Sequence, residues 1–202
     1  TPATGWSANV SVSVIDVQNL SAIRLVQRKC VTVNNASWVW SELNWNLDQA
    51  HKMIGLYSDT RASVISVPVN YYAKNGADAW WWYRPESAVG LMSFDLNAYD
   101  PLKDHLNQKV LTNHGTVVHP VGHVKRSIVF THQGATQRRM MVNLSETHVS
   151  VVDIDDLDSP AAQSVIEVAP YHQRLFRFGD YVVDEVRQGN GYSGYNGQPG
   201  AS

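Results

Sequence analysis

The chain has 202 residues, of which 44% are hydrophobic and 17% charged, and its formal net charge is −2. That apolar share excludes wholesale disorder, and the lack of a basic surplus excludes an electrostatic binder of nucleic acid. No apolar run reaches the about 18 residues of a membrane-crossing helix, and the single cysteine, Cys30, excludes an internal disulfide framework and a cysteine-based zinc site.

Residues 1–8, opening Thr1-Pro2-Ala3-Thr4-Gly5, read as a linker, and residues 9–188 as one β-rich repeat domain. Val10, Val12 and Val14 alternate with Ser11 and Ser13, the period of a half-buried strand. Val31 and Val33 close a second run. Only Leu43 to Ile54 has helical spacing, through Leu43, Leu47 and Ile54, and Asn44-Trp45-Asn46 count against it. Val64, Ile65, Val67 and Val69 form the next strand, and Pro68 predicts an edge or a bulge there. Trp80 to Tyr83 is a compact aromatic strand. Ile128 to Phe130, Met140 to Val142, Val149 to Val152, Val165 to Val168, Leu175 to Phe178 and Tyr181 to Val186 follow. Together they make roughly fifteen short strands, the pattern of an all-β sandwich, barrel or propeller. The glycine-rich stretch 189–202 is expected to be a flexible tail, and both ends suggest a segment of a longer chain.

One motif recurs. Val12-Ser13-Val14-Ile15-Asp16-Val17 and Val149-Ser150-Val151-Val152-Asp153-Ile154 share the pattern V-S-V-[IV]-D-[IV]. Leu91 to Asn97 is a weaker copy centred on Asp95, and Ser63 to Val67 fits with Ser66 in place of the aspartate. Alternating apolar residues face a neighbouring sheet, and the aspartate closes the strand by accepting backbone N–H bonds. Asp16 and Asp153 are separated by close to three repeats of about 40–45 residues, the length of a propeller blade. Asp95 falls unevenly between them.

With its polar turn Asp158-Ser159-Pro160 and the segment Phe178-Gly179-Asp180-Tyr181-Val182-Val183, the motif resembles the blades of bacterial exported β-propeller proteins. The resemblance covers residues 114–187 and, more loosely, 9–33, and there is no W-D dipeptide. It implies several antiparallel blades within a larger propeller, a β-sandwich being the alternative fold. It also implies an exported, periplasmic or cell-surface setting.

Several side-chain groups could carry chemistry. His114, His119 and His123 lie close in sequence with Gly115, Pro120 and Gly122 among them, so a loop could gather three imidazoles around zinc. The competing reading places them at turns and strand ends. Asp153, Asp155 and Asp158 form an oxygen-rich run suited to calcium, although Leu157 replaces a ligand position and no glycine follows. Trp38, Trp40, Trp80, Trp82 and Tyr83 are the expected contact residues. Consecutive strand residues face opposite ways, so part of the Trp80–Tyr83 run must meet a second layer or solvent. No G-x-S-x-G elbow and no phosphate-cradling glycine loop is present.

These features together predict a non-enzymatic binding or scaffolding module that holds loops and aromatics rigidly for a protein partner or a neighbouring segment. No cofactor is expected beyond a possible divalent metal, calcium or zinc. The alternatives are a hydrolase or metalloenzyme built on the His114–His123 cluster, and a glycan binder using the tryptophans.

Overall fold

A computed structural model of the chain describes residues 10–34, 36–44, 48, 50–73, 85–134, 136–168, 172–178 and 181–186. The expected linker at 1–8, the aromatic run Trp80 to Tyr83 and the expected tail at 189–202 lie outside the described residues.

The period-two runs become strands. β1 (Ser11–Asp16) and β2 (Arg24–Cys30) form the first hairpin. β3 (Ala36–Trp40), β4 (Gly55–Ser58), β5 (Ser63–Ala73), β6 (Pro85–Phe94) and β7 (Leu111–His119) form the second sheet. β8 (Arg126–Gln133), β9 (Gln137–Leu144), β10 (His148–Asp153) and β11 (Ala161–Glu167) lie side by side in chain order as the third. β12 (His172–Phe178) pairs with β13 (Tyr181–Val186). Every pairing is antiparallel. The chain is therefore all-β, and the described sheets do not close into a ring. The helical spacing at 43–54 yields only a 3-10 turn at Glu42–Asn44 and the single-turn helix α1 (Ala50–Met53).

β5 is the spine of the second sheet. β6 pairs along one edge, while the other edge is divided between β4, up to Ser66, and β3, from Asn70 onward. Pro68 falls in the gap between these two half-strands. Its carbonyl accepts the Ser41 hydroxyl at 2.7 Å on that side. Amide and carbonyl of one strand residue point the same way, so the missing N–H of Pro68 costs the ladder nothing. Pro68 thus sits inside a central strand, at a local break in its neighbour.

Both faces of this sheet are buried. Ile65, Val67, Val69, Tyr71, Ala88 and Met92 pack on one side with Val31 and Val39, and Val12 and Val14 of β1 join them. Val64, Val89 and Leu91 pack on the other with Val129, Met141 and Val152 of the third sheet and Ile154 just past β10. Antiparallel sheets commonly keep one face wet, so a sheet apolar on both faces requires a layer on each side. Each fully buried Val, Leu or Met contributes about 1.5–3 kcal/mol. Two glycines permit the close approach. A Cβ on Gly90 would meet Val31 Cγ1 at 2.7 Å, and one on Gly55 would meet the Ser127 carbonyl oxygen of β8 at 2.9 Å.

The repeated aspartates occupy equivalent places. Asp153 ends β10 and Asp95 follows β6, each the third strand of a β-meander whose fourth strand comes next, and Asp16 ends β1 before β2. Each accepts the amide two residues on: Gln18 at 3.0 Å, Asn97 at 2.9 Å and Asp155 at 3.0 Å. The pairing also shifts register at the same motif position, Val14/Ile15 and Val151/Val152. The uneven spacing of Asp95 has two causes: β3 and α1 intervene before β4, and a long connection separates β6 from β7. The fourth copy fails. Ser66 is fully buried in the middle of β5 and closes no strand.

Gly90→Ala is expected to destabilise the fold by about 1–3 kcal/mol through overpacking. Adding Val31→Ala should recover part of that loss, a non-additivity readable in a denaturant double-mutant cycle.

Candidate functional site

Antiparallel strands carry the turns to two opposite rims. The first rim holds the β4–β5 turn, the end of β6, the β8–β9 turn and the β10–β11 turn. The second holds the connections β7–β8 and β9–β10 and the turn at Glu42–Asn44.

At the first rim Asp59 accepts the Arg61 amide at 2.8 Å and the Ala62 amide at 3.0 Å. The Arg139 guanidinium of β9, only 3% exposed, reaches the same carboxylate at 3.1 Å. Burial works to raise the Asp59 carboxyl, but the two amides and Arg139 outweigh it and hold it at about 2. Arg61 crosses to Asp155, whose carboxylate also accepts the Arg139 amide at 3.0 Å. Arg138 pairs with Asp153 at 2.7 Å. Beside these pairs opens a cleft of about 440 Å³ between Gln137 and Arg138 on one side and Asp153, Asp155, Asp156 and Ser159 on the other.

The acidic run is therefore spent on cations and turns. Asp153 faces Arg138, Asp155 faces Arg61, and Asp158 accepts from His114. A calcium ion needs oxygens converging on one point. Here the three carboxylates are directed to three different partners.

The three histidines are likewise held apart. His114 Nε2 lies 2.8 Å from Ser93 Oγ, and its Nδ1 lies 2.7 Å from Asp158 Oδ1. His119, at the far end of β7, is buried, with Nδ1 2.9 Å from Ser150 Oγ and no hydrogen-bond partner for Nε2 among the described residues. His119 ends β7 five residues beyond His114, about 16 Å along an extended strand, too far apart to share an ion. His123 belongs to a third group, at the second rim.

Among the described residues, that third group is the nearest approach to a metal centre. Glu42, His123 and Glu146 each place a ligand atom within 4.8 Å of the others. The Lys125 ammonium already lies among them, 2.6 Å from both Glu42 oxygens and 2.9 Å from Glu146. A divalent ion would have to displace it. The His123 ring, 3.6 Å away, lowers the Glu42 carboxyl, burial opposes this, and Lys125 adds to the lowering, which leaves the group at about 2. By distance the ammonium is the closer partner.

Among the expected contact residues, Trp38 and Trp40 share one face of β3 and are half-buried. Trp40 packs on Tyr72 with ring centroids 4.9 Å apart. Trp80, Trp82 and Tyr83 lie outside the described residues. Sequence reasoning missed Ser93, Arg139, Lys125 and Glu42. Their partners are distant in the chain, so no local spacing marks them.

Arg139 is buried, and its removal leaves the half-buried Asp59 carboxylate with its two amides and the exposed Arg61 alone. Arg139→Ala is expected to cost about 2–3 kcal/mol by urea denaturation, and Arg61→Ala markedly less. His119 gives a pH test. Burial, foremost, lowers its pKa from 6.5 to about 4. The unfolded chain therefore takes up the proton first. Stability is intact above pH about 6.5 and falls by about 2–3 kcal/mol as pH drops toward 4. In His119→Asn the slope between pH 6.5 and 5.5 should flatten, because in that window Asp59 and Glu42 stay ionised in the folded and the unfolded chain alike. Comparison with known protein families, with curated proteins and with solved structures returns no match.

Proposed function

We propose that the chain is part of a β-propeller that acts as a rigid binding or scaffolding module, with the outer face of the β8–β11 sheet as its contact surface. One observation carries this reading. The centre of that face is apolar, with the exposed Arg126, His132 and Arg138 toward its ends, although no described layer covers it. Ile128 is 47% exposed, Phe130 37%, Leu144 40% and Ile166 54%. Register makes the patch continuous: Ile128 lies beside Val142, Phe130 beside Met140, and Leu144 beside Val149, which in turn pairs with Ile166. Contiguous exposed apolar surface of this kind belongs against another protein surface.

The second sheet supports the same reading. It has equally apolar faces, and a sheet covers each of them. Two β-meanders stacked face to face, with equivalent turn aspartates, are what successive propeller blades would present. The occupant is accordingly a further antiparallel sheet, from a neighbouring segment of the propeller or from a protein partner. The exported setting belongs to the same proposal and rests on the resemblance of the turn motifs.

A photo-cross-linking residue at Phe130, introduced into the whole natural polypeptide, tests it. The expected result is one defined adduct, within the polypeptide or to one partner. The same residue at Leu102, which is 94% exposed, should give none. Labelling at Phe130 no greater than at Leu102 would overturn the proposal.

A further inference from the structure

Ser93, His114 and Asp158 come from three separate segments and meet at the first rim in a defined order. Ser93 Oγ lies 2.8 Å from His114 Nε2, and His114 Nδ1 lies 2.7 Å from Asp158 Oδ1. A carboxylate only accepts, so Nδ1 carries the ring proton and Nε2 keeps a lone pair for the serine hydroxyl. This is the geometry of nucleophile, base and orienting acid. We propose that Ser93 is a base-activated nucleophile that is acylated by activated carboxylic esters, with His114 as its base and Asp158 as the residue that orients the ring.

The local fold explains the placement. The β6–β7 register shifts between Leu91 and Met92, where Leu91 pairs with Gly115 and Met92 with Asn113, so His114 is skipped by the ladder. Bulges of this kind re-aim a side chain, and here the ring is turned onto Ser93. Gly115 makes the bulge possible with φ of +93°, and beyond its two chain neighbours no atom lies within 4 Å of where its Cβ would stand. Asp158 is fixed by its own turn, its amide donating to Asp156 Oδ1 at 3.0 Å. The His114 side chain is 10% exposed, so the base is largely shielded, while the Asp158 carboxylate is 79% exposed.

The reaction balances without a further reagent except water. Ser93 Oγ bonds to the acyl carbon as its proton passes to His114 Nε2. The ester's alkoxide or phenolate leaves and takes that proton. Water, deprotonated by the same nitrogen, then releases the carboxylic acid and restores the serine. The β6 backbone at Ser93 is paired on both sides, with Val64 and with Thr112. It therefore supplies no free amide pair for the oxyanion, a feature worth about 10²–10³ in rate. The expected activity is acylation by esters with good leaving groups and slow release, not peptide hydrolysis.

The test is p-nitrophenyl acetate with peptide mapping by mass spectrometry. Acetylation of Ser93 should exceed that of the exposed Ser21 and Ser159 by about 100-fold, the scale of general-base assistance. Ser93→Ala should abolish that label, His114→Gln should slow it about 100-fold, and Asp158→Asn about 10-fold, less than for a buried acid. Circular dichroism and melting temperature establish that each variant is folded. Mapping on the unaltered protein decides the matter even if a variant does not fold. Acetylation of Ser93 no faster than of Ser21 and Ser159, or unchanged in folded His114→Gln, would overturn the proposal.

Discussion

The whole arrangement depends on β5 and β6 being buried on both faces. Val64, Val89 and Leu91 point one way while Ile65, Val67, Ala88 and Met92 point the other, and all are nearly inaccessible. A strand with two apolar faces cannot sit at a surface. It recruits the β1–β2 hairpin to one side and the β8–β11 sheet to the other. The close fit is bought by small residues, Gly90 under Val31 and Gly55 against the β8 backbone. Buried polar groups are tied into the same stack. Gln27 of β2 donates to the Gln108 carbonyl at 2.5 Å and accepts the Leu111 amide at 2.6 Å, which fixes the long β6–β7 connection to the hairpin.

The chemistry lies where that stack ends. Sheets packed face to face bring their turns together at two rims, and the turns carry the charges. Asp59 with Arg139, Arg61 with Asp155, and Glu42 with Lys125 all join the second sheet or its flanking turn to the third sheet or its connections. The first two pairs differ in consequence, because the Arg139 guanidinium is buried while Arg61 is exposed. These cross-sheet pairs hold the two layers in one relative position. That rigidity suits a surface that binds without reordering, and it also holds Ser93 on β6 and Asp158 on the β10–β11 turn at opposite sides of one imidazole.

Much of the fold was legible from side-chain period. Alternation marks β1, and short apolar runs mark β5, β8, β9, β10 and β11, because a half-buried strand alternates while one buried on both faces reads as a continuous apolar run. The aspartate repeat was legible too, since an Asx turn is a local device that needs only its own next residues. The Ser66 copy failed because local pattern does not say whether a strand ends or continues. Pro68 was misjudged for a related reason: the gap that accommodates it is made by β3 and β4, distant in sequence. The site was less legible. Neighbouring histidines suggested one cluster, yet an extended strand separates His114 from His119, and His123 lies past its end.

By itself, then, the sequence determined the strand pattern, the turn aspartates and the all-β class, because these follow from interactions within a few residues. Only the tertiary structure decided that the second sheet is covered on both sides, that Arg139 is spent on Asp59, and that Ser93 meets His114 and Asp158. Those contacts join residues whose separation along the chain carries no period, and they exist only once the sheets have stacked.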